Sequence, residues 1–276
     1  MQIVTMRGGR ELPVMGQGTW FLGLASERRA EEERALRSGI ELGMRLIDTA
    51  EVYGEGATEE FLGSVLPSVR SGITLVSKVH PRNATRHGIR IACERSLRRL
   101  RTDHLDIYLL HWREEFRLQD AVEGFEDLVR QGKIGAWGVS NFDIDDINDL
   151  MAAGGRNCCM NQVYYNLANR QAERDLFPLL DNLGILAMAY SPIDQSRLPM
   201  TPELMRIAEQ HGVSPLQLAL AWVHRRPTRL SIPRSGKAHH VALNRAALDV
   251  ALSADDIAQL DAAYPPPSRS GPIPIL

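Results

Sequence analysis

One pattern repeats along the chain: a short apolar run, a turn, then a stretch with apolar residues at helical spacing. Strand-like runs lie near residues 14–18, 44–48, 73–78, 105–110, 134–139, 159–163, 185–190 and 229–232. Between them come faces such as Ile89, Ala92, Cys93, Ser96, Leu97 and Leu100, the spacing of a helix packed on a sheet. Strands that alternate with helices favour parallel pairing, because a parallel crossover needs a connection of helix length. Eight such units close a (β/α)8 barrel, although a doubly wound sheet carries the same alternation. The prediction is therefore an α/β fold of TIM-barrel type. Ahead of the first barrel strand, residues 3–6 and 11–14 flank Arg7-Gly8-Gly9-Arg10, which predicts an N-terminal β-hairpin plugging the barrel floor. No low-complexity linker divides residues 1–276, so one domain is expected.

Local signals set the helix limits. Asp120 with Glu123 three residues on reads as a capping pair for a helix burying Val122, Phe125 and Val129, and Gly132 stops it. Ser214-Pro215 with Gln217, Thr201-Pro202 and Ser253 read as further helix starts. The run Glu31-Glu32-Glu33 marks the solvated side of a helix that buries Ala35, Leu36 and Ile40. The Pro- and Ser-rich stretch 265–276 is expected to lie extended over the surface.

Composition excludes several function classes. A net charge of −2 gives no electrostatic case for nucleic acid or an acidic membrane surface. The strand-like apolar runs, about six residues each, are far too short to span a bilayer. Residues 1–7 lack the basic, apolar and small-residue order of a secretory signal. Three cysteines, Cys93, Cys158 and Cys159, form no CxxC, and an odd count reads as reduced, buried thiols in a cytoplasmic protein.

The chemistry sits at the ends of strands. Asp48 ends one apolar run, Lys78 the next, and His111 the one after, while Tyr53 follows Asp48 by five residues. Polar side chains at successive strand ends are how a barrel builds one site from distant parts of its chain. Tyrosine, with an unperturbed pKa of about 10, exchanges protons poorly near neutrality, and a lysine ammonium in reach lowers that value. Asp48 keeps such a lysine charged, and a neutral His111 donates an N–H to a substrate oxygen. Together the four make a proton-delivery site for a carbonyl. Simpler readings exist for other residues. Ser140-Asn141 can cap a helix over 144–150, Tyr190 can be a turn aromatic before Ser191-Pro192, and Arg234 a solvated charge. Residues 54–59 mimic GxGxxG but end in Glu59, whose charge repels a pyrophosphate, so they read as a loop into a helix. His239-His240 lacks partners at ligand spacing, so no metal is expected.

The chain resembles the aldo-keto reductase family across nearly its whole length. The resemblance rests on Gly18-Thr19-Trp20, residues 48–54, Lys78, residues 106–112, Gly132-Lys133-Ile134, residues 138–142, Asn161-Gln162 and Ile232-Pro233-Arg234-Ser235, in the family's order. It implies a (β/α)8 barrel that binds a nicotinamide cofactor in extended form and reduces aldehydes or ketones. Asp48, Tyr53, Lys78 and His111 match the family's catalytic tetrad. Ser140, Asn141 and Gln162 match the positions that hold the nicotinamide carboxamide, and Tyr190, with Ser191 and Pro192 after it, the aromatic on which the ring stacks. Gly18, Thr19, Trp20 and Asp48 are expected beside the cofactor. Ile232, Pro233, Arg234, Ser235 and Asn244 match the adenosine end, which implies NADPH. His240 stands where many members carry arginine and Leu243 where an acidic residue is common, so NADH is the alternative. Trp20, Phe21, Tyr53, His111 and Trp112 are expected to line an open substrate mouth. The resemblance implies a monomer acting on a small carbonyl compound. A nicotinamide-binding redox-sensing module with little turnover is the competing class, and a metal-dependent barrel hydrolase using Asp48 and His111 lacks a second histidine at ligand spacing.

Overall fold

The computed structural model describes residues 1–226 and 228–276. Its strands are β1 (Ile3–Thr5), β2 (Glu11–Pro13), β3 (Gln17–Gly18), β4 (Leu46–Asp48), β5 (Thr74–Val79), β6 (Leu105–Leu110), β7 (Ile134–Ser140), β8 (Met160–Tyr164), β9 (Leu186–Tyr190) and β10 (Arg229–Ser231). Its helices are α1 (Arg29–Glu41), α2 (Ala57–Val65), α3 (Arg86–Leu100), α4 (Leu118–Arg130), α5 (Ile144–Ala152), α6 (Leu176–Leu183), α7 (Pro202–Gln210), α8 (Pro215–Val223), α9 (Ala238–Ala246) and α10 (Ala254–Ala263). Strands β3 to β10 lie side by side in chain order, each parallel to the next. All eight coincide with the runs expected from the sequence.

The sheet closes on itself. Gly16 donates its N–H to the Ser231 carbonyl at 2.8 Å, and Ser231 donates to the Val14 carbonyl at 2.9 Å. A Cβ at Gly16 would lie 2.6 Å from the Leu46 oxygen, and one at Gly18 2.8 Å from the Ile232 oxygen, so only glycine fits this seam. At the floor, β1 and β2 pair antiparallel as Ile3↔Pro13, Val4↔Leu12 and Thr5↔Glu11. Gly8 and Gly9, at φ +89° and +86°, make the turn. Met6 and Leu12 of this hairpin pack on Leu46, Ile107 and Met160 inside the barrel, which is the expected plug.

Strand alternation sorts the core into two layers. Leu46, Val76, Ile107, Leu109, Met160, Met188 and Leu230 fill the barrel, while Ile47, Leu75, Tyr108, Val163 and Ala187 pack outward against the helices. The next inward position beyond the apolar layer is Asp48 on β4, Lys78 on β5, Gln162 on β8 and Tyr190 on β9. His111 follows Leu109 of β6 by the same step. The period of two therefore delivers polar side chains to one end of an otherwise apolar interior.

Several local expectations hold. Ser214 and Gln217 form a reciprocal capping box, Ser253 does so with Asp256, and Thr201 caps α7. Others are corrected. Helix α4 begins at Leu118 and has no side-chain cap, because burying Leu118 extends it past Asp120 into its first turn. Glu32 is buried rather than solvated, because its Oε2 accepts the Gly23 N–H at 2.7 Å. Asp143, not Ser140 or Asn141, caps α5, accepting from Asp145 and Asp146 at 3.0 Å each. Segment 265–276 is held along its backbone. Arg170 donates to the Tyr264 oxygen (2.8 Å), Arg174 to the Ser268 oxygen (2.9 Å) and Gln171 to the Gly271 oxygen (3.3 Å). As expected, it runs extended over the surface, exposed throughout except at Ile273, which is buried. Among the described residues, no helix is long and apolar enough to cross a membrane.

Candidate active site

Beyond β4 the chain keeps to its neighbour before turning back. Thr49 donates its N–H to the Val76 oxygen (2.9 Å) and Glu51 to the Lys78 oxygen (3.2 Å), after which Tyr53 folds over Lys78. The Lys78 ammonium donates to Asp48 Oδ2 at 2.7 Å, to the Thr49 carbonyl at 2.9 Å and to the Tyr53 hydroxyl at 3.2 Å. Those three bonds engage all of its protons. Lys78 and Asp48 are both sealed from solvent.

Burial would lower the lysine pKa, but the Asp48 carboxylate and the Tyr53 oxygen more than offset it, so the ammonium is held above its ordinary value of 10.5. Burial raises the Asp48 carboxyl, opposed by Lys78 and by Gln162, whose Nε2 donates to Asp48 Oδ1 at 2.7 Å. Burial also raises the Tyr53 phenol above 10.0, and the nearby ammonium only partly counters it. The sequence expectation of a lowered phenol pKa is therefore corrected: desolvation outweighs the cation. The phenol stays protonated across neutrality, the state a proton donor needs. His111 stands edge-on to the Tyr53 ring at 5.9 Å between centroids. Burial, then the charges of Lys78 and His80, hold it well below 6.5, so the imidazole is neutral. Its Nδ1 is buried without a partner, so the tautomer with its proton on Nε2 avoids a stranded donor.

Opposite this cluster, β7 and β8 pair Ser140 with Gln162. The Ser140 hydroxyl donates to the Gln162 carbonyl at 2.9 Å. The Asn141 amide donates to the His111 carbonyl at 3.0 Å, and its Oδ1 accepts the Tyr190 hydroxyl at 2.8 Å. Tyr190 stacks on Tyr164 at 5.7 Å, which fixes its ring plane. Since Asp48 can only accept, the Gln162 amide must turn its nitrogen to it, leaving Oε1 toward the cavity as an acceptor.

A cavity of about 500 Å³ joins the two groups. It is lined by Tyr53, His111, Asp48, Ser140, Asn141 and Gln162, with Tyr190, Ser191, Pro192 and Ile232 beside them and Trp20, Phe21 and Trp112 at the rim. Trp20 and Phe21 stack at 4.4 Å, and the Trp112 indole is tied to Glu114 at 2.8 Å. Gly18 and Thr19 also line it, but the Thr19 hydroxyl donates to the Asp48 carbonyl at 2.8 Å. Arg234 reaches the cavity with its Nε bound to the Trp20 oxygen at 3.0 Å. Pro233, Ser235, His240 and Asn244 are not among the lining residues. Ser235 lies in the turn before α9, bonded to the Lys237 backbone, while exposed His240 and half-buried Asn244 lie on α9.

Sequence reasoning missed two contributors. Ile193, Gln195 and Ser196, in the loop after β9, line the cavity. So do Ile275 and Leu276, whose segment turns inward so that the Leu276 N–H meets the Tyr190 hydroxyl at 3.3 Å. The apolar residues Ile273, Ile275 and Leu276 after the proline run were the available signal. Glu59, discounted as a phosphate ligand, is buried and accepts from Ser77 and Arg99 at 2.7 Å each. The three cysteines are buried thiols, as expected.

Comparisons with known proteins converge. The sequence profile of the Aldo/keto reductase family matches residues 14–265. The chain is 43% identical to methylglyoxal reductase YeaE of Escherichia coli (strain K12) over 272 residues, 96% of each sequence. It is 31% identical to glyoxal reductase of Bacillus subtilis (strain 168), over 98% of this chain and 95% of that one. Crystal structures of an aldo/keto reductase from Klebsiella pneumoniae, one with NADP and acetate and one with NADPH, each superimpose with a TM-score of 0.96. They share 43% identity and cover 100% of this chain and 99% of theirs.

Proposed function

The chain belongs to the aldo/keto reductase family and is an NAD(P)H-dependent oxidoreductase, and from that premise we propose that it reduces small uncharged aldehydes and ketones, 2-oxoaldehydes among them, with Tyr53 as proton donor. The observation that carries this reading is the buried chain of contacts from Asp48 through Lys78 to the Tyr53 hydroxyl, opening on one cavity with His111. The donor set fits a nicotinamide carboxamide. Gln162 Oε1 is free to accept from its NH2 group, and the Ser140 hydroxyl is the donor that can turn to its oxygen. Tyr190 offers the ring face beside them, and Arg234, whose two amino groups have no partner among the described residues, offers a phosphate contact. When bound, the reduced nicotinamide supplies a hydride, which no side chain can. The protein's own part is to orient the carbonyl oxygen between the Tyr53 hydroxyl and His111, and to deliver a proton from Tyr53. Lys78 then stabilises the phenolate left behind, and its pairing with Asp48 holds the ammonium in place.

Substrate class follows from the walls. Among the described residues Arg234 is the one fixed cation lining the cavity, and aromatic and aliphatic groups make the rim, a surface suited to small neutral carbonyl compounds. The YeaE relative, named for methylglyoxal, points the same way. On this reading the enzyme works as a single-domain cytoplasmic monomer. The test is steady-state turnover of a panel of aldehydes, ketones and 2-oxoaldehydes with NADPH, for the native chain and Tyr53→Phe. The expected result is turnover by the native chain, falling roughly 10²- to 10⁴-fold in the variant while NADPH affinity is kept. Tight cofactor binding with no turnover by the native chain would support the redox-sensing module instead, and equal rates for the two proteins would remove Tyr53 from the chemistry.

A further inference from the structure

Gln162 stands between the two halves of the site. Its Nε2 donates to Asp48 Oδ1 at 2.7 Å, while the other carboxylate oxygen of Asp48 takes the Lys78 ammonium at 2.7 Å. Lys78 in turn meets the Tyr53 hydroxyl at 3.2 Å. Gln162, Asp48 and Lys78 are buried, and residues 48 and 162 lie on strands that are not neighbours in the sheet. Gln162 thus reaches Asp48 across the barrel interior.

We propose that Gln162 is a positioning residue for proton transfer, holding Asp48 so that Lys78 presents its charge to Tyr53, in addition to facing the cofactor. The proposal rests on the reductase reading above and deepens it. Asp48 has two oxygens and, besides Lys78, Gln162 is the side chain that bonds it. Remove the amide donor and that oxygen is left buried without a partner, so the carboxylate is free to turn about its axis. Lys78 would follow the turning carboxylate, and its weakest contact, the one to Tyr53, is the first to lengthen. A glutamine that merely held a carboxamide would affect cofactor binding and leave the Lys78–Tyr53 geometry untouched.

Gln162→Glu separates these roles because its carboxyl donates to Asp48 only while protonated. Two carboxylates at hydrogen-bond distance cannot both ionise cheaply, so the pair shares a proton and its upper apparent pKa rises above an isolated glutamate. A carboxyl raised in the folded state gives stability that is present at low pH and lost as pH rises through that value. The first readout needs no cofactor: the thermal midpoint of ligand-free Gln162→Glu, relative to the native chain, should fall as pH rises between about 5 and 8. The second is kcat at saturating NADPH and aldehyde, which should fall about tenfold over the same interval in the variant alone. Adding Asp48→Asn to Gln162→Glu should flatten the thermal profile. Gln162→Met, close in size and unable to donate, should show the lowered kcat at every pH with no recovery in acid. Midpoint differences and kcat ratios that stay constant with pH would overturn the proposal. Should the native chain reduce no carbonyl compound, the reductase reading fails by itself, while the thermal arm still decides whether Gln162 holds Asp48.

Discussion

Arg234 is where this chain's choice between cofactors is most exposed to test. Its Nε is fixed to the Trp20 carbonyl at 3.0 Å, which aims the rest of the guanidinium at the cavity. His240, expected from the resemblance to stand where many members carry arginine, is exposed on α9 and outside the cavity lining. Arg234→Ala should therefore weaken NADPH binding about 10- to 100-fold, by loss of one charge-assisted contact of roughly 1.5–3 kcal/mol, and leave NADH nearly unchanged. Fluorescence titration with both reduced cofactors measures this, and equal losses would mean that Arg234 reads no 2′-phosphate. At this scale the sequence was informative about identity but not about state. Asp48, Lys78 and His111 at strand ends, and Tyr53 in the loop after β4, could be named from their spacing. That burial would outweigh Lys78 and leave the Tyr53 phenol above 10.0 depends on how completely the site is sealed, which no local pattern encodes.

Elements, not single residues, hold Tyr53 in place. The loop that carries Tyr53 is pinned through Glu51, which is buried. Glu51 accepts the His80 N–H at 2.8 Å, the Asn83 amide at 2.9 Å and the Arg95 guanidinium at 3.2 Å, so β4, the loop after β5 and α3 meet on one carboxylate. Glu51→Ala strands three donors, and we expect it to cost about 2 kcal/mol or more of stability and to lower kcat while NADPH affinity is kept. Chemical denaturation and a split of kcat from cofactor affinity decide it; an unchanged kcat would make the clamp purely structural. The strands and most helices were legible because apolar runs and 3.6-residue faces reflect packing that repeats along the chain. Two failures have the same root. Asp120-x-x-Glu123 is a local capping pattern, overridden when Leu118 found a buried place one turn earlier. Glu32 sits among three glutamates that look solvated, yet one backbone N–H at Gly23 drew it inward.

The whole molecule responds to acid through its partly buried imidazoles. His224, between α8 and β10, is half-buried with Nε2 beside the Ser231 hydroxyl at 2.8 Å, and desolvation pushes its pKa down to about 4. An unfolded chain binds that proton near 6.5, so stability is complete above about pH 6.5 and declines as pH falls toward 4. The full shift corresponds to roughly 3 kcal/mol, and neutral, half-buried His111 adds to it with the same sign. Urea unfolding at several pH values should show a shallower acid decline in His224→Gln than in the native chain; parallel curves would mean that His224 is not a source of the decline. The barrel itself was readable at this scale from eight strand-like runs, but its doorway was not. Segment 273–276 and the loop after β9 reach the cavity from afar and carry no periodicity that announces it. What grips the chain leading to the former is nonetheless informative: Arg170, Gln171 and Arg174 grasp main-chain oxygens at Tyr264, Ser268 and Gly271. Carbonyls are the same whatever residue bears them. Mutation can therefore re-tailor the exposed side chains at the tip of this strap while its route is preserved, reshaping the cavity mouth without disturbing the groups on the barrel's inner wall.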